Sequence, residues 1–107
     1  MKFSETAELA KNDHRQLLAV DRNNRAAIDK LTNEVTYTIS HLIQDIQRSA
    51  KGGSGPRRKL WHIVTDDLTE MYRSAKSVRK SQDSTEYFFS VNKNYDSIIA
   101  KIRDLEN

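Results

Sequence analysis

Near the middle of the chain stands the sequence Gly52-Gly53-Ser54-Gly55-Pro56, which holds all three glycines and the only proline among 107 residues. The arms on either side are almost equal in length and carry apolar residues at heptad spacing. A β-rich domain of this size would need turn signals every ten residues or so, and they are missing. The pattern therefore predicts an all-α fold in which this loop joins helical arms.

The Gly/Ser/Pro loop at 52–56 has two interpretations. Natural interhelical loops have this composition, and so do flexible linkers that are engineered between two fragments. In the second case the arms would be pieces of one longer protein, or of two partners joined in one chain. The sequence leaves both interpretations open.

The first arm, residues 4–50, places apolar side chains at alternating steps of four and three residues. Such steps put them on one stripe of a helix, the a/d stripe of a heptad pattern. The polar run 21–25 interrupts this stripe, and Ser4 is the expected N-cap of the arm. The positions of the stripe are Phe3, Ala7, Ala10, His14, Leu17, Asp21, Asn24, Ile28, Leu31, Val35, Thr38 and Leu42.

The second arm, residues 57–106, contains two apolar runs that are out of phase with each other. The phase shift falls near 81–85, where Asp83 and Glu86 have the spacing of a capping box. A break between two helices is therefore predicted there. The runs are Trp61, Val64, Leu68, Met71, Ala75 and Val78, then Phe88, Val91, Tyr95, Ile98, Ile102 and Leu105.

Two architectures fit these arms. If the chain folds back at Gly53-Ser54, two rods of about 70 Å each pair residues whose numbers sum to about 108. If both arms break at their polar midpoints, the pieces collapse into a compact bundle, which buries more area per residue. We expect one all-α domain over residues 1–107: an antiparallel helical hairpin or, preferably, a three- or four-helix bundle with coiled-coil-like heptad packing.

No motif in the sequence points to catalysis or to a bound metal or nucleotide. The chain has no cysteine, which excludes disulfides and thiolate metal sites. His14, His41 and His62 stand in no metal-binding helix motif, and His14 lies on the apolar stripe, where a buried, hydrogen-bonded ring is expected. We predict a protein that is not an enzyme, with no cofactor, no metal and no small-molecule substrate.

The acidic group Asp66, Asp67 and Glu70 has an ordinary structural explanation. Acids near the start of a helix favour the helix dipole, and residues three or four apart share a face. We expect these carboxylates to pair with Arg73 or with neighbouring helices.

The segment from Arg48 to Ser54 is similar to the His-x-x-Lys-Gly-Ser segment of histidine phosphotransfer domains, which are helical bundles of about this size. The position that accepts the phosphoryl group in that family is Arg48 here, and a guanidinium cannot take its place. Pro56 also stands where the helix of that family continues. The resemblance therefore implies no functional site in this chain.

Charge is distributed unevenly, although the net charge is only +3. Residues 57–80 hold seven Lys/Arg and three acids, whereas residues 81–107 hold three Lys/Arg and five acids. Blocks of opposite sign predict either contacts between the two segments or binding of an acidic ligand.

A surface for a partner is expected from the aromatic and basic residues of the second arm. Phe88 and Phe89 lie 100° apart on a helix, so they cannot both face one stripe. Exposed aromatics are frequent anchors of interfaces, and a rim of cations raises the rate of association. The predicted partner-binding residues are Trp61, Tyr87, Phe89, Arg57, Arg58 and Lys59.

These observations favour a non-enzymatic helical protein-protein interaction or assembly module, which binds a protein partner or itself through apolar helical faces. The alternative is a basic helical module that binds nucleic acid or an anionic membrane surface. The sequence has no apolar run near 18 residues and no signal-peptide pattern. A soluble, intracellular protein of the cytoplasm or nucleus is therefore expected.

Overall fold

The chain forms four α-helices in a computed structural model, which describes residues 2–21, 23–50, 55–77 and 85–106, with the side chains of 50 and 85–88 left out of the description. The all-α prediction is confirmed. The helices are α1 (Phe3–Ala19), α2 (Arg25–Ala50), α3 (Pro56–Ser77) and α4 (Thr85–Glu106).

The four helices pack in a ring. Helix α1 contacts α2 and α4, and α3 contacts the same two helices. The longest dimension of the molecule is 47 Å, well short of the rods of about 70 Å that an unbroken hairpin requires. Of the two architectures that the sequence allows, the chain therefore adopts the helical bundle.

One hydrophobic core fills the space between the helices. The stripe of the first arm and the two runs of the second arm supply it, and Ile39, Ile46 and Ile99 widen the buried faces. Each fully buried Leu or Ile contributes about 1.5–3 kcal/mol relative to exposure, so the bundle depends on this core. Among the stripe positions, the fully or almost fully buried apolar residues are Ala7, Ala10, Leu17, Ile28, Val35, Leu42, Val64, Leu68, Met71, Ala75, Val91, Tyr95, Ile98, Ile102 and Leu105.

The first polar break forms a tight connection between α1 and α2. The Asp21 carboxylate accepts a hydrogen bond from the Asn23 amide at 2.9 Å, and the Asn24 side chain caps α2 by accepting from the Ala27 amide at 3.2 Å. Asp and Asn favour such turns and caps because their side chains bond nearby backbone amides. The prediction of a break is confirmed, but Asp21 and Asn24 are turn residues here and not members of a continuous stripe.

Helices α1 and α4 are antiparallel and linked by polar contacts along their length. Lys11 contacts Asp96 at 2.6 Å, and Arg103 contacts Glu8 at 3.3 Å. The numbers of each pair sum to 107 and 111, close to the value of 108 expected for a chain folded back at its middle. The register of a hairpin therefore persists between α1 and α4 although both arms are broken.

The start of α1 is capped by the end of α4. The two carboxylate oxygens of Glu106 accept hydrogen bonds from the backbone amides of Phe3 at 3.0 Å and Ser4 at 3.3 Å. The prediction of Ser4 as the N-cap is wrong. The N-cap is Lys2, two residues earlier and without a side-chain cap, and Ser4 is buried in the first turn. A carboxylate is favourable at this position because it meets unpaired amides and the positive end of the helix dipole.

Two of the three acids of α3 pair as expected. The expected role near a helix start is wrong, because α3 begins at Pro56 and Asp66, Asp67 and Glu70 lie in its middle, with no acid in its first turn. Glu70 contacts Arg73 at 2.7 Å within α3, and Asp67 contacts Lys101 of α4 at 3.0 Å. The second pair runs against the expected charge blocks, since its cation comes from the acidic segment 81–107 and its anion from the basic segment 57–80. Individual positions on the facing helices, and not the net charge of a segment, decide which ions meet.

Two predicted features fall partly or wholly outside the described residues: the loop 52–56, of which only its last two residues are described, and the break near 81–85. At the described end of the loop, Gly55 has φ +58°, a left-handed conformation that glycine adopts at little cost. Pro56 follows as the first residue of α3, where its missing amide hydrogen leaves no bond unmade.

Replacing Glu106 with alanine should lower the free energy of unfolding by about 1 kcal/mol, because two amides of α1 lose their acceptor. Urea unfolding followed by circular dichroism measures this change. The matched control is Asp104→Ala, an exposed carboxylate in the same helical turn, which should have a smaller effect. Equal losses from the two substitutions would refute the cap.

Candidate functional site

The first turns of α3 form an exposed surface at one end of the bundle. All residues from Gly55 to Leu60 are exposed to solvent, because the helix emerges from the loop before its apolar stripe reaches the core. Leu60 and Ile63 are 46% and 39% exposed, and they lie three residues apart on one face of the helix. Lys59 lies one turn before Ile63 and Arg57 one turn before Leu60, whereas Arg58, 100° from each of its neighbours, lies on the other side of the helix. We call Arg57, Lys59, Leu60 and Ile63 the basic surface.

The basic surface borders α4. The Arg57 guanidinium donates a hydrogen bond to the Leu105 carbonyl in the last turn of α4. The last carbonyls of a helix have no partner within it. A cation there is also stabilised by the negative end of the helix dipole. Arg57 is thus partly engaged within the chain, whereas Arg58 and Lys59 are exposed on α3.

Trp61 belongs to the core more than to the surface. Its side chain is half-buried, and its ring meets the edge of Phe3 with centroids 5.7 Å apart. This contact joins the starts of α1 and α3 across the end of the bundle. Trp61 therefore supports the basic surface from beneath.

The predicted partner-binding residues lie in two places. Phe89 is 65% exposed near the start of α4, and the side chain of Tyr87 lies outside the description. From the level of the Asp67–Lys101 pair, Trp61 lies about 9 Å towards one end and Phe89 about 18 Å towards the other. Trp61 and the three cations thus lie in the first turns of α3, and Phe89 lies towards the other end of the bundle.

Sequence reasoning missed Leu60 and Ile63. A signal was available, because the stripe of Trp61, Val64 and Leu68 leaves these two apolar residues off the buried face. Only the structure shows that these two residues are exposed, because a wide buried stripe would contain the same residue types.

A second surface of opposite charge lies between α1 and α2. Asp13, Asn33, Glu34, Tyr37 and Thr38 line a shallow groove, which we call the acidic groove. Burial, and then the nearby Glu34 carboxylate, raise the pKa of the Asp13 carboxyl. The Glu34 carboxylate thus disfavours the charged form of Asp13 in this groove.

Apolar groups flank the acidic groove. Tyr37 is 67% exposed, and its ring lies against His41 with centroids 4.3 Å apart. Leu9, which is 47% exposed, lies one helical turn before Asp13 on the same side of α1. The groove therefore combines negative charge with exposed apolar side chains.

The buried pair of His14 and Tyr95 joins α1 to α4 inside the core. The His14 Nδ1 and the Tyr95 hydroxyl are 2.8 Å apart, and the rings meet edge to face. Both residues are fully buried, and the His14 Nε2 has no hydrogen-bond partner among the described residues. The expectation of a buried, hydrogen-bonded His14 is confirmed, and solvent does not reach the ring.

Comparisons with known proteins add no constraint on this site. No protein-family model, curated protein or solved structure matches the chain. Within the part of the chain that the structure describes, no group of three or more His, Asp or Glu side chains could hold a metal ion. Nor is any helix there long and apolar enough to cross a membrane.

His14 should make the bundle sensitive to acid. Burial lowers its pKa from 6.5 to about 4, so the unfolded chain takes up a proton before the folded chain does. The stabilisation that results from this difference in pKa is complete above pH 6.5 and is lost as the pH falls to about 4. The free energy of unfolding then decreases by about 3 kcal/mol. Urea unfolding at several pH values measures it.

The variant His14→Phe isolates this contribution, because the carboxylates titrate alike in both proteins. The wild type should lose more free energy of unfolding than His14→Phe between neutral pH and pH 4. The exposed His62, changed to Phe, is the matched control for replacing an imidazole outside the core. Identical pH profiles for the wild type and His14→Phe would contradict the assignment.

Proposed function

We propose that this chain is a non-enzymatic protein-protein interaction or assembly module, working inside the cell and docking an acidic protein surface on its basic surface. The observation that carries the proposal is the exposure of Leu60 and Ile63 beside Arg57 and Lys59, each one turn away on the same side of α3. An apolar contact ringed by charge is the usual composition of a protein interface: burial of the apolar groups supplies affinity, and the cations speed the encounter.

The burial of both stripes within the chain supports this choice of surface. If an apolar stripe were exposed to water, the chain would need a partner to cover it in order to be stable. Since the helices cover each other's stripes, binding through a stripe would require the bundle to open. The basic surface can bind a partner without any such change.

The second candidate function is binding to nucleic acid or to an anionic membrane. The exposure of Arg57, Arg58 and Lys59 in consecutive positions favours it. Against it, Arg57 is bonded to the Leu105 carbonyl and the Glu106 carboxylate lies at the same end of the bundle, which weakens the positive field. The interaction with a protein therefore has the stronger support.

Site-specific photo-cross-linking tests the interaction module. A benzophenone side chain in place of Ile63 should give an adduct of defined mass in cells, whereas the same group in place of the exposed Arg73, about 15 Å further along α3, should not. The double variant Leu60→Ser/Ile63→Ser should prevent adduct formation from a probe at Lys59, because the apolar contact is lost. Equal labelling from positions 63 and 73 would refute the proposed surface.

Salt dependence separates the second candidate. Binding to duplex DNA or to phosphatidylserine vesicles that weakens steeply between about 50 and 200 mM salt would support the polyanion function. No binding at the lower salt concentration would eliminate it.

A further inference from the structure

The basic surface and the acidic groove lie on opposite sides of the bundle. Ile63 shares a face of α3 with Asp67, which contacts Lys101 of α4, so the basic surface borders the groove between α3 and α4. The acidic groove lies between α1 and α2. In a ring where α1 contacts α2 and α4, and α3 contacts the same two, these are opposite faces.

The two surfaces complement each other. The basic surface offers the exposed cations Arg57 and Lys59 beside two exposed aliphatic side chains. The acidic groove offers the carboxylates of Asp13 and Glu34 beside the exposed ring of Tyr37. A guanidinium or ammonium group that entered the groove would offset the repulsion between the two carboxylates.

We propose that the basic surface of one copy docks into the acidic groove of a second copy, so that the chain self-associates head to tail. This inference rests on the proposed function, because it takes the basic surface as the docking element and names a second copy as its partner. One copy cannot satisfy both of its own surfaces, since they face away from each other. Each added copy leaves one surface of each kind open, so the contact builds a chain unless its rotation closes a ring.

The association is expected to be weak and sensitive to salt. Each surface covers only a few turns of one or two helices, whereas stable interfaces bury about 1,200–2,000 Å² in total. Charges supply much of the attraction at such a small contact, and salt screens exposed charges over about 10 Å at 0.1 M ionic strength. Assembly should therefore depend on concentration and decrease as salt is added.

Sedimentation velocity of the full chain tests self-association directly. The weight-average sedimentation coefficient should rise between about 10 μM and 1 mM protein in about 50 mM salt, and the rise should diminish in about 500 mM salt. A coefficient that stays at the monomer value over this range would overturn the inference.

A charge exchange tests the pairing of the two surfaces. One variant carries Arg57→Glu and Lys59→Glu, and the other carries Asp13→Lys and Glu34→Lys. Each variant alone should associate at least about tenfold more weakly than the wild type, because its two surfaces then have the same sign. An equimolar mixture should regain association, because each altered surface finds its complement on the other variant.

Controls keep this test decisive. Glu70→Lys with Arg73→Glu reverses an exposed ion pair about 10 Å beyond Ile63 along α3, outside the basic surface, and should leave association unchanged. Circular dichroism checks that every variant is folded, and the milder pair Lys59→Ala and Glu34→Gln, each weakening association, serves if a reversal unfolds the bundle. A mixture that associates no better than its components would overturn the inference.

The outcome is distinguishable from that of the proposed function. An adduct at position 63 between two copies of this chain supports both proposals. An adduct with a different protein, together with a monomeric chain in the centrifuge, supports the interaction module and overturns self-association.

Discussion

The structure depends on the burial of four amphipathic helix faces in one core. The helices are too polar on their outer sides and too apolar on their inner sides to be stable alone in water. Each helix can remove its apolar stripe from water only by contact with two neighbours, which is the arrangement that the ring provides. Any functional surface is then formed by side chains that lie outside the core.

Polar contacts on α1 and α4 fix how the helices are aligned. Apolar stripes pack with little preference for axial position, whereas a carboxylate that caps a helix start and ion pairs at set levels allow one alignment. Glu106 at the start of α1, the pair of Lys11 and Asp96, and the buried contact of His14 with Tyr95 all agree on that alignment. Exposed ion pairs add little stability, so the Glu106 cap and the buried contact of His14 with Tyr95 contribute more to this alignment than the ion pairs do.

Much of the fold could be predicted from the sequence because helical periodicity is a local property. The steps of the stripes identified the helices, and the polar run around Asn24 identified the turn between the first two. The Glu106 cap could not be predicted, because it joins residues at opposite ends of the chain. The exposure of Leu60 and Ile63 was not predicted for a related reason. Whether an apolar residue beside a stripe is covered depends on the diameter and packing of the whole bundle. Coiled-coil-like heptad packing stays a prediction.

The most direct test of the account is small-angle X-ray scattering of the dilute, monomeric chain. The basic surface and the acidic groove both require that each arm is broken into two helices that pack in one bundle. The compact bundle predicts a radius of gyration close to the 14.2 Å of its Cα atoms, increased slightly by side chains and hydration. An unbroken hairpin of rods about 70 Å long would give a radius of about 20 Å. A value near the second figure would contradict the closed core and, with it, the assignment of the basic surface.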